Sequence, residues 1–222
     1  PNIAAIKLGW AVVMYIWLKW NDLGGKDMLG CLISIIVLYA TTKADSCIIL
    51  LFFLFMVVLR KVDIVKKITI IFSKYCFFIL GAFSYLLAKI YENAGRWTSL
   101  VRQLDFLFSR RFAMSYLAIE NNGLSIIGQT ITRNHEWNNL FNFGDYTVDN
   151  LYVYLYVCIG IVYFFLIGFG FMKLAKYKDY RVALTVIIFS LFAMIEVHCL
   201  YLSNCFALIL LKCVLFREKR VE

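Results

Sequence analysis

The sequence predicts an all-α protein, a polytopic bundle of about seven transmembrane helices with one large helical extracytoplasmic loop. Three observations support this fold class. The chain is 63% hydrophobic and has a mean hydropathy of +0.78, whereas soluble domains are about 45–50% apolar. Its apolar runs are separated by short basic clusters. One long polar segment, 89–147, interrupts this pattern.

The apolar runs mark the expected spans. A helical crossing needs about 20 residues, so two of the runs are short and either need neighbouring residues or are half-buried. These two are 28–41 and 46–59, and the full set of runs is 3–18, 28–41, 46–59, 68–88, 148–172, 182–198 and 203–216.

The last apolar stretch, 182–216, is too long for one crossing at about 1.5 Å per residue. It must bend, and the polar residues His198, Ser203 and Asn204 mark the expected place. The domain organisation follows from these spans. We expect four transmembrane segments in 1–88, an extracytoplasmic loop with short helices in 89–147, and three transmembrane segments with a basic cytoplasmic tail in 148–222.

Lysine and arginine in the short loops orient the bundle, because cytoplasmic loops are enriched in both. With seven spans, four basic clusters fall on one side, which we expect to be the cytoplasm. The long loop then lies outside, and the protein is a multi-pass protein of the cell membrane with a cytoplasmic C-terminus. The clusters are Lys19 and Lys26; Arg60, Lys61, Lys66 and Lys67; Lys173, Lys176, Lys178 and Arg181; and Arg217, Lys219 and Arg220.

The remaining composition narrows the class of protein. The formal net charge is +9, but the basic residues do not form one phosphate-tracking face, so we expect no nucleic-acid partner. The seven cysteines lie in or beside apolar runs. They show neither a disulfide framework nor metal-ligand spacing, and we interpret them as small buried hydrophobes. We therefore expect no metal and no cofactor.

The long loop is predicted to contain two helices. Apolar residues at helical spacing predict an amphipathic helix over 94–107 at the membrane surface. Ser109 is the expected N-cap of a second helix, 110–121, which Asn121-Asn122-Gly123 would end. The stretch 128–147 is predicted to be irregular.

Arginine dominates this loop, which carries only one lysine, Lys89. The planar guanidinium group of arginine forms bidentate hydrogen bonds with phosphate or carboxylate. Arg110 and Arg111 would occupy the first turn of the second helix and concentrate positive potential beside free backbone N–H groups, which makes an anion site. The alternative is a basic pair that faces lipid head groups. The loop arginines are Arg96, Arg102, Arg110, Arg111 and Arg133.

Two further polar groups are candidates for chemistry. Asp149 and Asn150 lie where the chain returns to the membrane, and they either cap the next helix or hold a carboxylate as general base. Glu196 and His198 lie inside an apolar run, where ionisable groups are costly and face a cavity or a partner. Asn204, Ser203 and Asp45 could share that cavity. Tyr152 belongs to a set of tyrosines that either forms an interfacial belt or stacks on sugar rings.

The region 107–160 resembles the oligosaccharide repeat-unit polymerases of bacterial capsule, exopolysaccharide and O-antigen synthesis. The resemblance rests on short motifs and implies that the chain corresponds to the C-terminal half of a longer polymerase. Two departures matter: Arg110 replaces the glycine of the family's Ser-Gly-Arg, and Cys47 replaces an upstream arginine. The matching segments are Ser109-Arg110-Arg111, Tyr116, the run Gly123 to Gln129, Asp149-Asn150-Leu151-Tyr152, Gly160-Ile161, and Glu196 with Asn204.

The resemblance implies a metal-independent glycosyl transfer. A glycan on undecaprenyl diphosphate would pass to the non-reducing end of another lipid-linked repeat unit at the outer face of the membrane. The loop arginines would stabilise the leaving diphosphate, and Asp149 or Glu196 would accept the proton of the acceptor hydroxyl. Substrate binding is expected to involve a wider set, namely Ser109, Arg110, Arg111, Arg102, Asn150, Tyr152, His198 and Asn204.

The expected partners are the lipid-linked oligosaccharide, the bilayer, and a chain-length regulator and a flippase of the same pathway. Three alternatives stay open. An O-antigen ligase would share the arginine loop and the reaction type. A lipid-linked oligosaccharide flippase would bind the same anionic head group, although internal repeats would be expected there. A non-catalytic remnant is the third.

Overall fold

The computed structural model describes residues 2–41, 44–92, 102–103, 105–106, 110–131 and 148–201, and all regular secondary structure in these ranges is helical. This confirms the all-α class. The main helices are α1 Asn2–Leu18, α2 Gly25–Thr41, α3 Ala44–Val58, α4 Asp63–Glu92, α5 Arg111–Asn122, α6 Leu151–Tyr154, α7 Ile161–Leu174 and α8 Tyr180–Ile195. Short 3-10 turns follow three of them, at Leu59–Lys61, Ala175–Tyr177 and Val197–Leu200.

The predicted apolar runs coincide with helices wherever the chain is described. Helix α4 contains a segment, Asp63–Tyr91, that is long and apolar enough to cross a membrane. It is the only such helix among the described residues, and α2 and α3 are short, with 17 and 15 residues. Seven full crossings therefore stay a prediction, and the run 203–216 lies outside the described residues.

Two features of the spans differ in detail from the expectation. The run 148–172 is not one helix but is broken at Gly160, between a π-helical turn and α7. The stretch that must bend does so at Glu196, where α8 ends, and His198 lies in the 3-10 turn that follows. Ser203 and Asn204 lie outside the described residues.

The chain forms two compact units whose boundary within α4 falls between Phe77 and Phe78. The first unit contains residues 1–77, 170–192 and 198–222, and the second contains 78–169 and 193–197.

Aromatic contacts form the core of the first unit. Trp10 of α1 is fully buried and packs against Phe189 and Phe192 of α8, with ring centroids 6.4 and 5.4 Å apart. Phe171 of α7 packs against Phe189 at 5.1 Å and against Phe77 of α4 at 5.3 Å. Each aromatic pair contributes about 0.5–1.5 kcal/mol beyond the area that it buries.

Three of the predicted basic clusters meet within the first unit. Arg60, after α3, lies over the ring of Trp20 after α1, 5.5 Å from its centroid. Trp20 also contacts Tyr180 at the start of α8, at 5.9 Å, and Arg181 lies 5.4 Å from the ring centroid of Trp17. The turns that carry Lys19, Arg60 and Arg181 are therefore neighbours. Which face of a membrane they occupy stays a prediction.

The second unit is built around glycine–aromatic packing and a small apolar core. A β-carbon on Gly81 of α4 would lie 2.5 Å from the ring of Phe164 and 2.7 Å from the hydroxyl of Tyr156, so only glycine fits there without rearrangement. Phe78 packs edge-on against Phe164 at 5.5 Å. The core joins the end of α4 to α5 and α6 through Ala88, Ala118, Ile119, Val148, Val153 and Val157.

Candidate functional site

The helix that returns from the long loop is interrupted after its second turn. Helix α6 continues into a π-helical turn, Leu155–Ile159, that ends at Gly160. The Gly160 N–H donates to the carbonyl of Leu155 at 2.7 Å, and its φ of 113° is a conformation that favours glycine. Helix α7 begins at the next residue. The interruption leaves backbone groups that the helix itself does not pair.

The segment Gly123–Gln129 pairs these groups. The N–H groups of Ser125 and Gln129 donate to the carbonyls of Tyr156 and Cys158, each at 2.9 Å. In return, Ile161 N–H donates to the Ser125 carbonyl at 2.9 Å, and Val162 N–H donates to the Ile126 carbonyl at 3.2 Å. A buried backbone N–H or C=O group is costly to leave unpaired, so an interrupted helix needs such a partner segment. We call this arrangement the docked turn.

The docked turn joins two of the segments that carry the family resemblance, the run Gly123 to Gln129 and the pair Gly160-Ile161. Its ends are fixed by side chains. Ser125 Oγ accepts from the Gly128 N–H at 2.8 Å, and Gln129 Nε2 donates to the Asn122 carbonyl at 2.7 Å. The backbone pairing between these distant segments was not predicted.

Asn150 caps the helix that leads to the break. Its Oδ1 accepts from the N–H groups of Tyr152 and Val153 at 2.9 and 3.3 Å, and its Nδ2 donates to Ser84 Oγ at 3.2 Å. The cap interpretation is therefore confirmed for Asn150. Tyr152 is fully buried and packs edge-on against Phe164 at 6.3 Å. Asp149, just before the cap, is partly exposed.

Helix α5 matches the predicted second loop helix, and it ends as expected, with the Gly123 N–H donating to the Ile119 carbonyl at 2.8 Å. Its start differs from the prediction. Arg110 is the N-cap residue, has a left-handed backbone with φ 63°, and makes no side-chain cap. Ser109 lies outside the described residues.

The side-chain cap of α5 comes from Asp105. Its Oδ1 accepts from the N–H groups of Phe112 and Ala113 at 2.8 and 3.2 Å. The expectation that free N–H groups beside Arg110 and Arg111 would bind a phosphate is therefore wrong for these two groups, because a carboxylate of the protein already occupies them.

Asp105 is 5% exposed, and its pKa is raised mainly by burial, although the two backbone bonds and the nearby Arg110 oppose that shift. The loop arginines differ in exposure. Arg111 is 5% exposed, whereas Arg102 and Arg110 are exposed. Both exposed guanidinium groups, together with Asp105, lie within electrostatic range of the Tyr91 hydroxyl at the end of α4. The structure thus brings Arg102 and Arg110 to one region of the second unit. An anion bound there would contact these two side chains and not the backbone N–H groups at the start of α5.

Glu196 is buried, with 3% exposure, at the residue that separates α8 from the following 3-10 turn. The carboxylate is therefore enclosed by the protein, and the polar cavity expected around it stays a prediction. His198 is partly exposed and stacks on Tyr201 with ring centroids 5.4 Å apart. Asn204 lies outside the described residues.

Sequence reasoning missed two residues at this site, and it left a third without a role in binding. A capping motif places the capping side chain just before the helix, whereas Asp105 lies further upstream of Arg111, the first residue of α5. Ser84 lies in the apolar run of α4, and only the fold brings its hydroxyl to Asn150. Tyr116 was matched to the family's aromatic helix, but nothing in its spacing indicated the cavity that it lines with Lys89 and Glu120.

Comparisons of the chain with models of known protein families, with curated protein sequences and with solved structures gave no match.

Proposed function

We propose that this protein is a membrane polysaccharide polymerase, a glycosyltransferase that moves glycan from an undecaprenyl-diphosphate donor to a lipid-linked repeat unit during capsule, exopolysaccharide or O-antigen synthesis. The observation that carries the proposal is the docked turn. Four backbone hydrogen bonds hold Gly123–Gln129, a segment that resembles the polymerase family, against the broken helix. One of them joins it directly to the second resembling segment, from the Ile161 N–H to the Ser125 carbonyl, and Gly160 lies against the backbone of Gly128. Because these two segments contact each other, one structural requirement, the packing of the turn against the broken helix, explains why both carry motifs that resemble the family.

A membrane location is supported by how α4 is buried. Its most apolar stretch has a mean hydropathy of 1.8, yet only 28% of that stretch is buried within the protein. The core helix of a soluble protein would be mostly buried. Large exposed apolar side chains follow one another along α4, and such a surface is stable against lipid and not against water. They include Ile64, Ile68, Ile71, Phe72, Ile79, Phe83, Leu86 and Ile90.

The chemistry of the transfer fits the charges of the second unit. As the glycosidic bond to the diphosphate breaks, negative charge grows on the leaving group, and preorganised cations lower the barrier. Arg102 and Arg110 are exposed near Tyr91, so they suit direct contact with that diphosphate. Arg111 follows Arg110 in the sequence, is buried and suits a positioning role.

The acceptor hydroxyl must lose a proton, and two carboxylates are candidates for receiving it. Asp149 is partly exposed beside the helix cap at Asn150, so an acceptor sugar can reach it from outside the helices. Glu196 is buried and would need a polar path to the acceptor. Asp149 is therefore the first candidate for the base, and Glu196 the second.

A flippase for lipid-linked oligosaccharide is a second candidate, because the helix interrupted at Gly160 is a feature that transporters use to expose backbone groups to a substrate. An O-antigen ligase would share the site and differ only in its acceptor. Membrane vesicles that carry the full-length protein and a labelled lipid-linked repeat unit separate these functions. A ladder of lengthening chains indicates a polymerase, and movement of the unit across the bilayer without lengthening indicates a flippase. Transfer of glycan to a different acceptor indicates a ligase.

The arginines provide the direct test of the polymerase proposal. Arg110→Lys keeps the charge and loses the bidentate fork, so the yield of long chains should fall at least about tenfold, which corresponds to about 1.4 kcal/mol of transition-state stabilisation. Arg60→Lys is the matched control, because Arg60 lies in a basic turn of the first unit. Equal chain yields from wild type, Arg110→Lys and Arg102→Lys would remove the arginines from the reaction and overturn the proposed mechanism.

A further inference from the structure

A cavity of about 250 Å³ lies between the end of α4 and the C-terminal half of α5. Ala88 and Lys89 line it from α4, and Tyr116, Ile119 and Glu120 line it from α5. All five residues belong to the second unit. None of them belongs to the residues proposed above for diphosphate binding or for proton transfer.

The lining combines three kinds of chemistry. Ala88 and Ile119 are buried core residues and supply apolar walls. Tyr116 supplies an aromatic ring, which is partly exposed. Glu120 is exposed and contributes a carboxylate that accepts hydrogen bonds, while Lys89 contributes an ammonium group that donates them.

This combination selects against simple ions. A free phosphate would be repelled by the Glu120 carboxylate, and a metal cation would be repelled by the Lys89 ammonium group. A neutral ligand that has both hydroxyl donors and hydroxyl acceptors satisfies both side chains with charge-assisted hydrogen bonds. An aromatic wall further favours a ligand with an apolar C–H face, because the ring face carries negative electrostatic potential.

We propose that this cavity binds one pyranose ring of a glycan. A pyranose has a C–H face for Tyr116 and a rim of hydroxyl groups for Glu120 and Lys89. The cavity is smaller than the roughly 300–1,000 Å³ of sites for drug-sized ligands, so it accommodates one ring and not a longer oligosaccharide.

The position of the cavity relates it to the arginine region. Tyr116 packs against Tyr91 with ring centroids 5.9 Å apart, and the Tyr91 hydroxyl lies within electrostatic range of Arg102 and Arg110. A ring bound against Tyr116 is therefore separated from the arginine region by one tyrosine. This placement rests on the proposed function, which puts the diphosphate of the lipid-linked unit at those arginines. The cavity would then hold a sugar of the same lipid-linked unit.

Ligand-observed NMR on the detergent-solubilised full-length protein tests the site, with the methyl glycosides of glucose, galactose, N-acetylglucosamine and N-acetylgalactosamine as probes. At least one glycoside should receive saturation from the wild-type protein. Glu120→Gln and Tyr116→Leu should each weaken its affinity about tenfold, as expected for the loss of one charge-assisted hydrogen bond or one stacking wall.

Two control variants lie outside the cavity. Asp63→Asn removes an exposed carboxylate that pairs with Lys66, and Tyr163→Leu removes an exposed tyrosine of the second unit. Both should leave affinity within about twofold of wild type. Thermal unfolding checks that the Tyr116 variant is folded, and the Glu120 variant changes only an exposed side chain.

The inference is overturned if no glycoside of the panel binds wild type, or if both cavity variants bind as wild type does. The polymer assay separates this failure from that of the proposed function. If glycosides bind in the cavity while the arginine variants leave chain yield unchanged, the sugar site stands and the polymerase proposal fails. If chain yield depends on Arg110 and no glycoside binds, the cavity inference fails alone.

Discussion

Gly160 and Gly128 meet backbone to backbone. A β-carbon on Gly160 would lie 2.9 Å from the nitrogen of Gly128, and one on Gly128 would lie 2.9 Å from the carbonyl oxygen of Ile159. Both residues have positive φ, 113° and 134°. This contact lets the docked turn approach closely enough for its hydrogen bonds to the carbonyls of Tyr156 and Cys158.

We expect Gly160→Ala to destabilise the protein. The substituted β-carbon would also lie 2.5 Å from the Ile126 carbonyl oxygen, and the positive φ alone costs about 1–3 kcal/mol for a residue other than glycine. The melting temperature of the detergent-solubilised protein should fall. Gly170→Ala is the matched control, since nothing lies within 4 Å of a β-carbon there and alanine stabilises a helix by about 0.5–1 kcal/mol. Equal melting temperatures for the two variants would contradict the close contact.

Two substitutions test whether Asn150 acts as the structural cap of α6. Asn150→Ala removes the cap of α6 and should cost about 0.5–2 kcal/mol of stability. Asn150→Asp keeps the acceptor for the N–H groups of Tyr152 and Val153 and loses only the donor to Ser84. It should therefore be the more stable variant in thermal unfolding. If Asn150→Ala reduces chain yield without any loss of stability, the residue acts in substrate binding and not as a cap.

The sequence alone was sufficient for the helical class and for most helix positions, because apolar runs and turn residues are local signals. The end of α5 at Gly123 is an example. The break at Gly160 could not be predicted, because an isolated glycine is tolerated within a helical pattern and the partner of the break, Gly123–Gln129, is distant in sequence. The Asp105 cap was missed for the same reason, since local cap patterns place the capping side chain next to the helix. Cavities such as the one at Tyr116 depend on how two helices pack, and no single segment specifies that.

Asp105 makes stability depend on pH with a definite sign. Burial raises its pKa above the ordinary value of 3.8, so the folded protein holds this proton more tightly than the unfolded chain. Stability should therefore fall as pH rises from about the unfolded pKa through the raised folded pKa. Asp105→Asn keeps an acceptor for Phe112 and Ala113 but has no such proton. Its stability relative to wild type should increase over that pH interval in thermal unfolding.

Asp105→Ala is the matched control for that experiment. It leaves the N–H groups of Phe112 and Ala113 without their cap and should cost about 0.5–2 kcal/mol. If the alanine and asparagine variants are equally stable, the carboxylate does not cap α5. If the difference between wild type and Asp105→Asn stays constant with pH, its pKa is not raised by burial.

Accessibility from the two sides tests the predicted topology. Gln103 is exposed in the long loop, and Lys61 is exposed in a basic turn. In a background without native cysteines, Gln103→Cys should react with a membrane-impermeant maleimide in intact cells. Lys61→Cys should react only after permeabilisation and serves as the control. The reverse pattern would place the long loop in the cytoplasm and remove the arginines from the outer face, where the proposed transfer takes place.

A substitution at Glu196 tests the role of this buried carboxylate in the transfer separately from that of Asp149. It is 3% exposed at the end of α8, and a buried charge is costly unless it is paired or hydrogen-bonded. Glu196→Gln preserves the shape of the side chain, so the protein should fold. If Glu196 orients the acceptor hydroxyl, lipid-linked single repeat units should accumulate and long chains should decline at least about tenfold.

The comparison with Asp149→Asn decides between the two carboxylates. A base in direct contact with the acceptor loses its function when it becomes an amide, and general base catalysis contributes about 10²–10⁴-fold to a rate. A buried positioning carboxylate affects the rate less. We expect Asp149→Asn to lower the initial rate of chain lengthening in vesicles about 10²–10⁴-fold, and Glu196→Gln to lower it less. If both Glu196→Gln and Glu196→Ala leave the chain-length distribution unchanged, Glu196 is structural, and Asp149 alone is the candidate base.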